Sequence, residues 1–320
     1  MRGPRRRGRA RHRACRQRVV CRDARAVVTP ATPAAPLAGP APLIDAHAHF
    51  LHAHAGRADW EAVNAARLRA GARIGITYHV ASILGSFGFT SPTYFPSPRD
   101  VTAGNDAMRA IARAHSDRVR MYVTVNPNDT AHALDEIARG VAAGAVGIKL
   151  AASRRASDPL LDPICEAAAR HGLPILHHVW QHRTREWPAQ EISDGLDLAE
   201  LARRHPTVRF ILAHIGGGGD YMHTFPAIAD VPNILADLSG SGVDRGMLDE
   251  AILRLGAERL VWGSDVTMET GLAKLMGFEA IRLTADDAAR IRYGNALRIF
   301  PPGSFPGIDA VPSRLAQAVG

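Results

Sequence analysis

The chain has 320 residues, of which 46% are hydrophobic and 22% charged, and its formal net charge is +8. This composition is that of a globular protein with ample material for a core, so a wholly disordered or fibrous chain is excluded. No run of about 18 apolar residues occurs, so we expect no transmembrane helix. Two of the three cysteines lie near the start of the chain, and Cys165 alone in the remainder excludes a disulfide-stapled scaffold there.

The excess positive charge lies in the first 25 residues, which hold eleven arginines and one acidic residue. Residues 26–320 carry 28 basic and 30 acidic groups, so the rest of the chain is nearly neutral. Residues 29–42 are rich in proline and alanine. Such composition cannot bury enough apolar surface to offset the entropy of ordering. We therefore predict that residues 1–41, called the tail below, are disordered.

The tail also bears on location and partners. Its apolar stretch 19–28 is interrupted by Arg22, Asp23 and Arg25, so it lacks the apolar core of about 7–15 residues that a secretory signal needs. We predict a cytoplasmic protein with no membrane partner. For the tail itself, translation from an upstream start codon is favoured over a transit peptide or a nucleic-acid arm. A nucleic-acid-associated protein is the least favoured functional hypothesis.

Eight short apolar segments rich in β-branched residues recur along residues 42–303, with amphipathic segments between them. The predicted strands are Leu43–Ala48, Ile74–Ala81, Arg118–Val125, Val146–Leu150, Pro174–His178, Val208–His214, Asn233–Leu238 and Leu260–Trp262. The predicted helices are Asp59–Ala70, Asp100–His115, Ala131–Ala142, Pro159–His171, Asp197–His205, Val243–Leu255 and Ala285–Phe300.

This alternation predicts an α/β fold, a single (β/α)8 TIM barrel over residues 42–303, followed by a C-terminal extension at residues 304–320. A doubly wound open sheet is the alternative. It is disfavoured because no Gly-x-Gly-x-x-Gly turn follows the first strand.

Chemistry-bearing side chains recur at the carboxyl ends of the predicted strands. His47 and His49 are two residues apart on the first strand, so they share a face and can bind one cation. Lys149, the pair His177 and His178, His214, and Asp265 end four other strands. In a barrel these ends converge on one rim, where active sites are built. The sequence therefore predicts a metal site.

Five motifs carry a family resemblance. They are Leu-Ile-Asp-Ala-His-Ala-His at 43–49, Gly-Ile-Lys-Leu at 147–150, Leu-Ala-His-Ile-Gly-Gly-Gly at 212–218, Val-Trp-Gly-Ser-Asp at 261–265 and Gly-Asn-Ala-Leu-Arg-Ile-Phe at 294–300. Together they resemble the amidohydrolase superfamily, and within it the amidohydrolase-2 branch of TIM-barrel metal-dependent hydrolases. That branch also contains decarboxylases such as aminocarboxymuconate semialdehyde decarboxylase.

The resemblance implies one divalent metal, zinc first with manganese or iron as alternatives. Its implied ligands are His47, His49, His178 and Asp265, with His177 packing outside the barrel. His214, Asp265 and Lys149 are implied as catalytic residues. In binuclear members of the superfamily a lysine at the end of the fourth strand is carboxylated and bridges two metals. For Lys149 we favour a single metal and an electrostatic or substrate-side role.

The resulting functional prediction is a metal-dependent hydrolase that uses a metal-activated water on a small anionic or aromatic amide, lactone or ester. The alternative is a nonoxidative decarboxylase of an aromatic or unsaturated carboxylic acid on the same site. Trp180, Arg183 and Arg185 follow the fifth strand and are predicted to contact the small-molecule substrate, although a plain surface loop explains them equally well. The glycine- and aromatic-rich loop 85–95 predicts either a lid or the contact of a homodimer.

Overall fold

The computed structural model describes residues 41–54, 58–83, 94–150, 152–179, 186–187, 190–215, 221–240, 245–265 and 271–308, with the backbone alone at 186, 187, 190 and 245. The chain divides into two compact units, residues 1–34 and residues 35–320, and the described residues all belong to the second. The tail before residue 41 and the end of the C-terminal extension lie outside the described residues. The predicted domain boundaries therefore stay predictions.

Eight parallel strands form the centre of the second unit. They are β1 (Leu43–Phe50), β2 (Ile76–Ile83), β3 (Val119–Val125), β4 (Gly147–Leu150), β5 (Ile175–His178), β6 (Phe210–Ala213), β7 (Ile234–Asp237) and β8 (Leu260–Val261). Each strand pairs with the next one in this order. Between β8 and β1, the Ala46 amide donates to the carbonyl of Trp262 at 2.9 Å. The sheet therefore closes on itself, and the predicted (β/α)8 barrel is confirmed.

Side chains on the two faces of this sheet belong to two separate apolar clusters. The inner cluster fills the barrel with residues such as Ile44, Leu176 and Ile211. The outer cluster contains residues such as Leu43 and Ile175, which pack beneath the helices. Both faces of the sheet are thus covered by apolar side chains, which explains why the strand sequences are continuous apolar runs.

Ten helices lie in the described ranges, and all but the last contribute to the outer layer, whereas Ala296 and Ile299 of the last helix pack against the inner cluster. The helices are α1 (Trp60–Arg73), α2 (Pro98–Ala114), α3 (Thr130–Ala142), α4 (Asp162–His171), α5 (Gly195–Arg204), α6 (Tyr221–Ile228), α7 (Arg245–Leu255), α8 (Gly271–Glu279), α9 (Ala285–Ala289) and α10 (Asn295–Ile299). A π-helical turn, Arg290–Gly294, joins α9 to α10. Short 3-10 turns lie at Pro127–Asp129, Pro159–Leu161 and Ala257–Arg259, and a two-residue hairpin pairs Glu186–Trp187 with Gln190–Glu191.

The helix starts follow local capping chemistry. Ser97 caps α2 by accepting from the Asp100 amide at 3.3 Å, just before a proline at the first helical position. Asp194 begins α5 with a capping box completed by Asp197. No helix in the described ranges is long and apolar enough to cross a membrane.

Two helices lie in segments for which no helix is predicted from the sequence. The first, α6, is eight residues long and contains Pro226, and the second, α8, contains Gly277. Both residues weaken a helical pattern. These helices form because the barrel offers each an apolar surface, which buries Phe225 in one and Phe278 in the other.

Candidate metal centre

An irregularity in β1 sets the direction of the two motif histidines. Between Asp45 and Ala48 the pairing with β2 changes register, so that β1 has one residue more than its partner. Ala46 lies in the inner cluster, whereas Ala48 lies in the outer one. Because side chains alternate along a regular strand, this extra residue is what turns His47 and His49 into the barrel mouth.

His47, His49 and Asp265 form a group whose geometry fits one cation. The Nε2 atoms of the two histidines are 3.0 Å apart, and Asp265 Oδ1 is 3.1 Å from His49 Nε2 and 3.6 Å from His47 Nε2. For bonds of about 2.0–2.1 Å, the ligand atoms of a tetrahedral ion lie about 3.3 Å apart. The three separations bracket that value, so the donor set and its spacing suit a divalent ion.

Asp265 is held in an uncommon backbone conformation. Its φ angle is +49°, in the left-handed region that few non-glycine residues adopt. Its amide donates to the carbonyl of His47 at 2.7 Å, which ties the end of β8 to β1. Burial by itself would raise the pKa of Asp265, but His47 and the hydrogen bond with His49 hold it well below its usual range. The carboxylate is therefore ionised at neutral pH.

Each motif histidine has a fixed partner on its other ring nitrogen. His47 Nδ1 lies 2.6 Å from Asp237 Oδ2, and His49 Nδ1 lies 3.0 Å from the hydroxyl of Ser82. Such partners orient a ligating imidazole and hold its Nε2 lone pair toward the ion. Burial lowers the pKa of His47 well below its ordinary value, and the neighbouring Lys149 lowers it further.

Lys149 also reaches the group. Its Nζ lies 3.3 Å from His47 Nε2, and 5% of the residue is exposed. Burial lowers the pKa of this amine to about 8. The amine thus lies within hydrogen-bonding distance of a predicted metal ligand.

The remaining predicted histidines lie beside this group. The ring of His214 stacks on His47 with centroids 5.0 Å apart, and His178 meets His214 edge-on at 5.1 Å. Burial lowers the pKa of His214 to about 4. Alternation along β5 places His178 on the inner face with Leu176, whereas His177 shares the outer face with Ile175.

A second group of possible ligands, His47, His214 and Asp237, is a hydrogen-bonded network. The His47–Asp237 separation of 2.6 Å is too short for two ligands of one ion and is that of a charge-assisted hydrogen bond. Neither group includes His178. Its place among the ligands stays a prediction.

Sequence reasoning missed three polar residues around the group. Asp237 ends β7 and Ser82 lies near the end of β2, and both hold a motif histidine. Asp45 accepts hydrogen bonds from the amide of Ser264 at 2.8 Å and from its hydroxyl at 2.6 Å, and it also lies 2.8 Å from His79 Nδ1. For Asp237, the available signal was a carboxylate at the end of a strand, which is the signal that identified Asp265.

The predicted substrate-contacting residues Trp180, Arg183 and Arg185 lie outside the described residues, as does most of the predicted lid loop. Five of the predicted side chains lie together at the mouth of the barrel, namely His47, His49, Lys149, His214 and Asp265. His178 lies next to them through its contact with His214.

The sequence profile of a protein family described as amidohydrolase matches residues 44–301. No curated protein sequence matches this chain significantly. Among solved structures, 2,6-dihydroxybenzoate decarboxylase from Rhizobium is similar with a TM-score of 0.64 and 18% identity, over 81% of this chain and 98% of that one.

Two further structures are similar. One is 5-carboxyvanillate decarboxylase from Sphingomonas paucimobilis, with a TM-score of 0.61 and 20% identity over 81% of this chain and 98% of that one. The other is dihydroxybenzoic acid decarboxylase from Polaromonas sp. JS666 with bound manganese and 2-nitroresorcinol, with a TM-score of 0.62 and 18% identity over 81% and 96%. At these identities the likeness shows the fold.

Proposed function

The chain belongs to the amidohydrolase family of enzymes, and from this premise we propose that it is a metal-dependent decarboxylase of a small aromatic or unsaturated carboxylic acid. The observation that carries the proposal is the convergence of His47 Nε2, His49 Nε2 and Asp265 Oδ1 at the barrel mouth. An imidazole that binds a cation adds no charge, so a single carboxylate ligand would leave a divalent ion with a net positive charge. Such a site favours an anionic substrate, and the three similar structures described above are decarboxylases of aromatic acids.

We propose that His47, His49, His178 and Asp265 hold the ion. When bound, a divalent cation supplies a Lewis acid that polarises and orients a substrate oxygen. The family resemblance implies zinc first, and manganese also suits a donor set of imidazole and carboxylate. The manganese bound to the Polaromonas enzyme supports testing that ion first.

The two oxygens of Asp265 suit two tasks. Oδ1 faces the Nε2 atoms of His47 and His49, whereas Oδ2 faces His214 at 3.7 Å. Decarboxylation exchanges CO2 for a proton at the substrate carbon. We propose that Asp265 Oδ2, the oxygen that does not face the two ligand nitrogens, takes this proton from water and passes it to the substrate carbon as CO2 leaves.

Lys149 is proposed to attract the substrate. Its amine lies at the mouth beside His47, so it adds a cationic group that a substrate carboxylate can approach. Outside the described residues, Trp180, Arg183 and Arg185 are proposed to contact the substrate ring and its anionic groups.

One observation favours hydrolysis as a second candidate. Asp265 is ionised at neutral pH, so its carboxylate can accept the proton that water loses when a lactone, ester or amide is hydrolysed. The proposed location is the cytoplasm, which suits the buried free thiol of Cys165.

The test is an assay of manganese- and zinc-loaded protein with 2,6-dihydroxybenzoate and 5-carboxyvanillate in D2O. We expect CO2 release with one deuterium incorporated at the carbon that lost the carboxylate, and no CO2 from the Asp265→Asn or His49→Ala variants. His171→Ala, which changes an exposed histidine at the end of α4, is the matched control and retains activity. Turnover of lactones or amides without CO2 release would assign the second candidate instead.

A further inference from the structure

A buried hydrogen-bonded pair, Asp237 and Ser239, lies beneath the rings of His47 and His214. Both residues are fully buried, and Ser239 follows the end of β7 by two positions. The proposed reaction assigns Ser239 no part. Its hydroxyl nevertheless lies within hydrogen-bonding distance of both imidazoles, at 2.8 Å from His214 Nδ1 and 3.2 Å from His47 Nδ1.

The Ser239 hydroxyl has a single proton, and it donates this proton to Asp237. Oγ donates to Asp237 Oδ1 at 2.5 Å, and the backbone amide of Ser239 donates to the same oxygen at 3.1 Å. A carboxylate only accepts hydrogen bonds, so it cannot return a proton to the hydroxyl. Oγ therefore turns its lone pairs toward the histidines.

We propose that Ser239 is a positioning residue that fixes the neutral ring of His214 as the tautomer with its proton on Nδ1 and none on Nε2. In the opposite tautomer, the Nδ1 lone pair would face the lone pairs of Oγ at 2.8 Å, and a buried hydrogen bond would be lost. Asp265 Oδ2 is 3.7 Å from Nδ1, which is too far for it to replace this acceptor.

As a consequence, Nε2 of His214 is already able to accept a proton before the substrate binds. A neutral imidazole has one bare nitrogen, and hydrogen bonding on the other decides which one it is. Stacking on His47 with an interplanar angle of 12° and the contact with His178 hold the ring in place. The inference rests on these hydrogen bonds and holds for either reaction proposed above.

The experiment is two-bond 1H–15N NMR of zinc-saturated protein labelled with 15N-histidine, in which bare and protonated ring nitrogens have separate signals. The His214 signals are identified by their loss in His214→Gln. In the unmodified sequence we expect a protonated Nδ1 and a bare Nε2. Ser239→Ala should convert His214 partly or wholly to the opposite tautomer, Ser239→Thr should restore the original pattern, and the exposed-serine variant Ser116→Ala should not alter it.

A bare Nδ1 on His214 in the unmodified sequence overturns the proposal, and this result needs no variant to fold. An unchanged His214 pattern in folded Ser239→Ala also overturns it, because a residue that only fills space would leave the tautomer alone. Zinc content is measured on the same samples. Failure of the metal proposal therefore shows as absent zinc, whereas failure of this inference shows in the His214 signals.

Discussion

Replacing Asp45 with asparagine tests the hydrogen bonds that join β1 to the end of β8. Asp45 is fully buried, and its Oδ1 accepts from the amides of His47 at 3.2 Å and Ser264 at 2.8 Å. Its Oδ2 accepts from the Ser264 hydroxyl at 2.6 Å and lies 2.8 Å from His79 Nδ1. An asparagine oxygen can keep the two backbone amides, and its NH2 group then faces the hydroxyl and the imidazole.

The expected loss of stability follows from the hydrogen-bond partners that asparagine leaves unsatisfied. The Ser264 hydroxyl can rotate and accept from the new NH2 group, but His79 loses its acceptor. One unsatisfied buried donor costs about 1–3 kcal/mol. In a domain of this size a loss of about 2 kcal/mol lowers Tm by about 4–8 °C. Metal affinity should fall about 10- to 100-fold, because the backbone that carries His47 and Asp265 is anchored here.

Urea unfolding and thermal denaturation measure the first effect, and calorimetric titration with manganese measures the second. Asp117→Asn is the matched control, because the Asp117 side chain is 64% exposed and its ion pair with Arg118 lies at the surface. We expect this control to stay within about 0.5 kcal/mol of the unmodified sequence. An Asp45→Asn variant as stable as the control would refute the role assigned to Asp45.

Three further predictions concern packing, the thiol and the tail. Gly140→Ala should lower the free energy of unfolding by about 1–3 kcal/mol in urea titrations, because the alanine Cβ would lie 2.9 Å from the Cβ of Val123. Unchanged stability would contradict the close approach of α3 to β3. In a variant with Cys15 and Cys21 replaced by serine, Cys165 should react with Ellman's reagent only after unfolding, since burial raises the pKa of its thiol; rapid reaction of the folded protein would count against this. Deleting the tail should abolish any DNA affinity in mobility-shift assays and leave the Tm of the barrel unchanged, and DNA affinity that survives the deletion would place it in the barrel.

The barrel could be predicted from sequence because its strands are buried on both faces and its helices are amphipathic. The sequence also placed His47 and His49 on a common face. It could not show which face, because the extra residue between Asp45 and Ala48 is a property of the pairing with β2. Without that residue, regular alternation from Ala46 would turn His47 toward the helices.

The partners of the motif histidines were harder to predict for a related reason. Asp237 meets His47 across 190 positions of sequence, and Ser82 meets His49 across 33. These contacts depend on barrel closure and on strand register, which periodicity does not encode. The helix α6 was missed because tertiary burial of Phe225 outweighs the local effect of Pro226.

The most direct test of the central claim is metal analysis of the purified protein together with manganese titration of the metal-free form. The site geometry predicts about one equivalent of a divalent ion per chain, and a loss of affinity of about 100-fold or more in His49→Ala, with His171→Ala unchanged. A protein that binds no divalent ion, or whose His49→Ala variant binds it as tightly as the unmodified sequence, would contradict the metal centre.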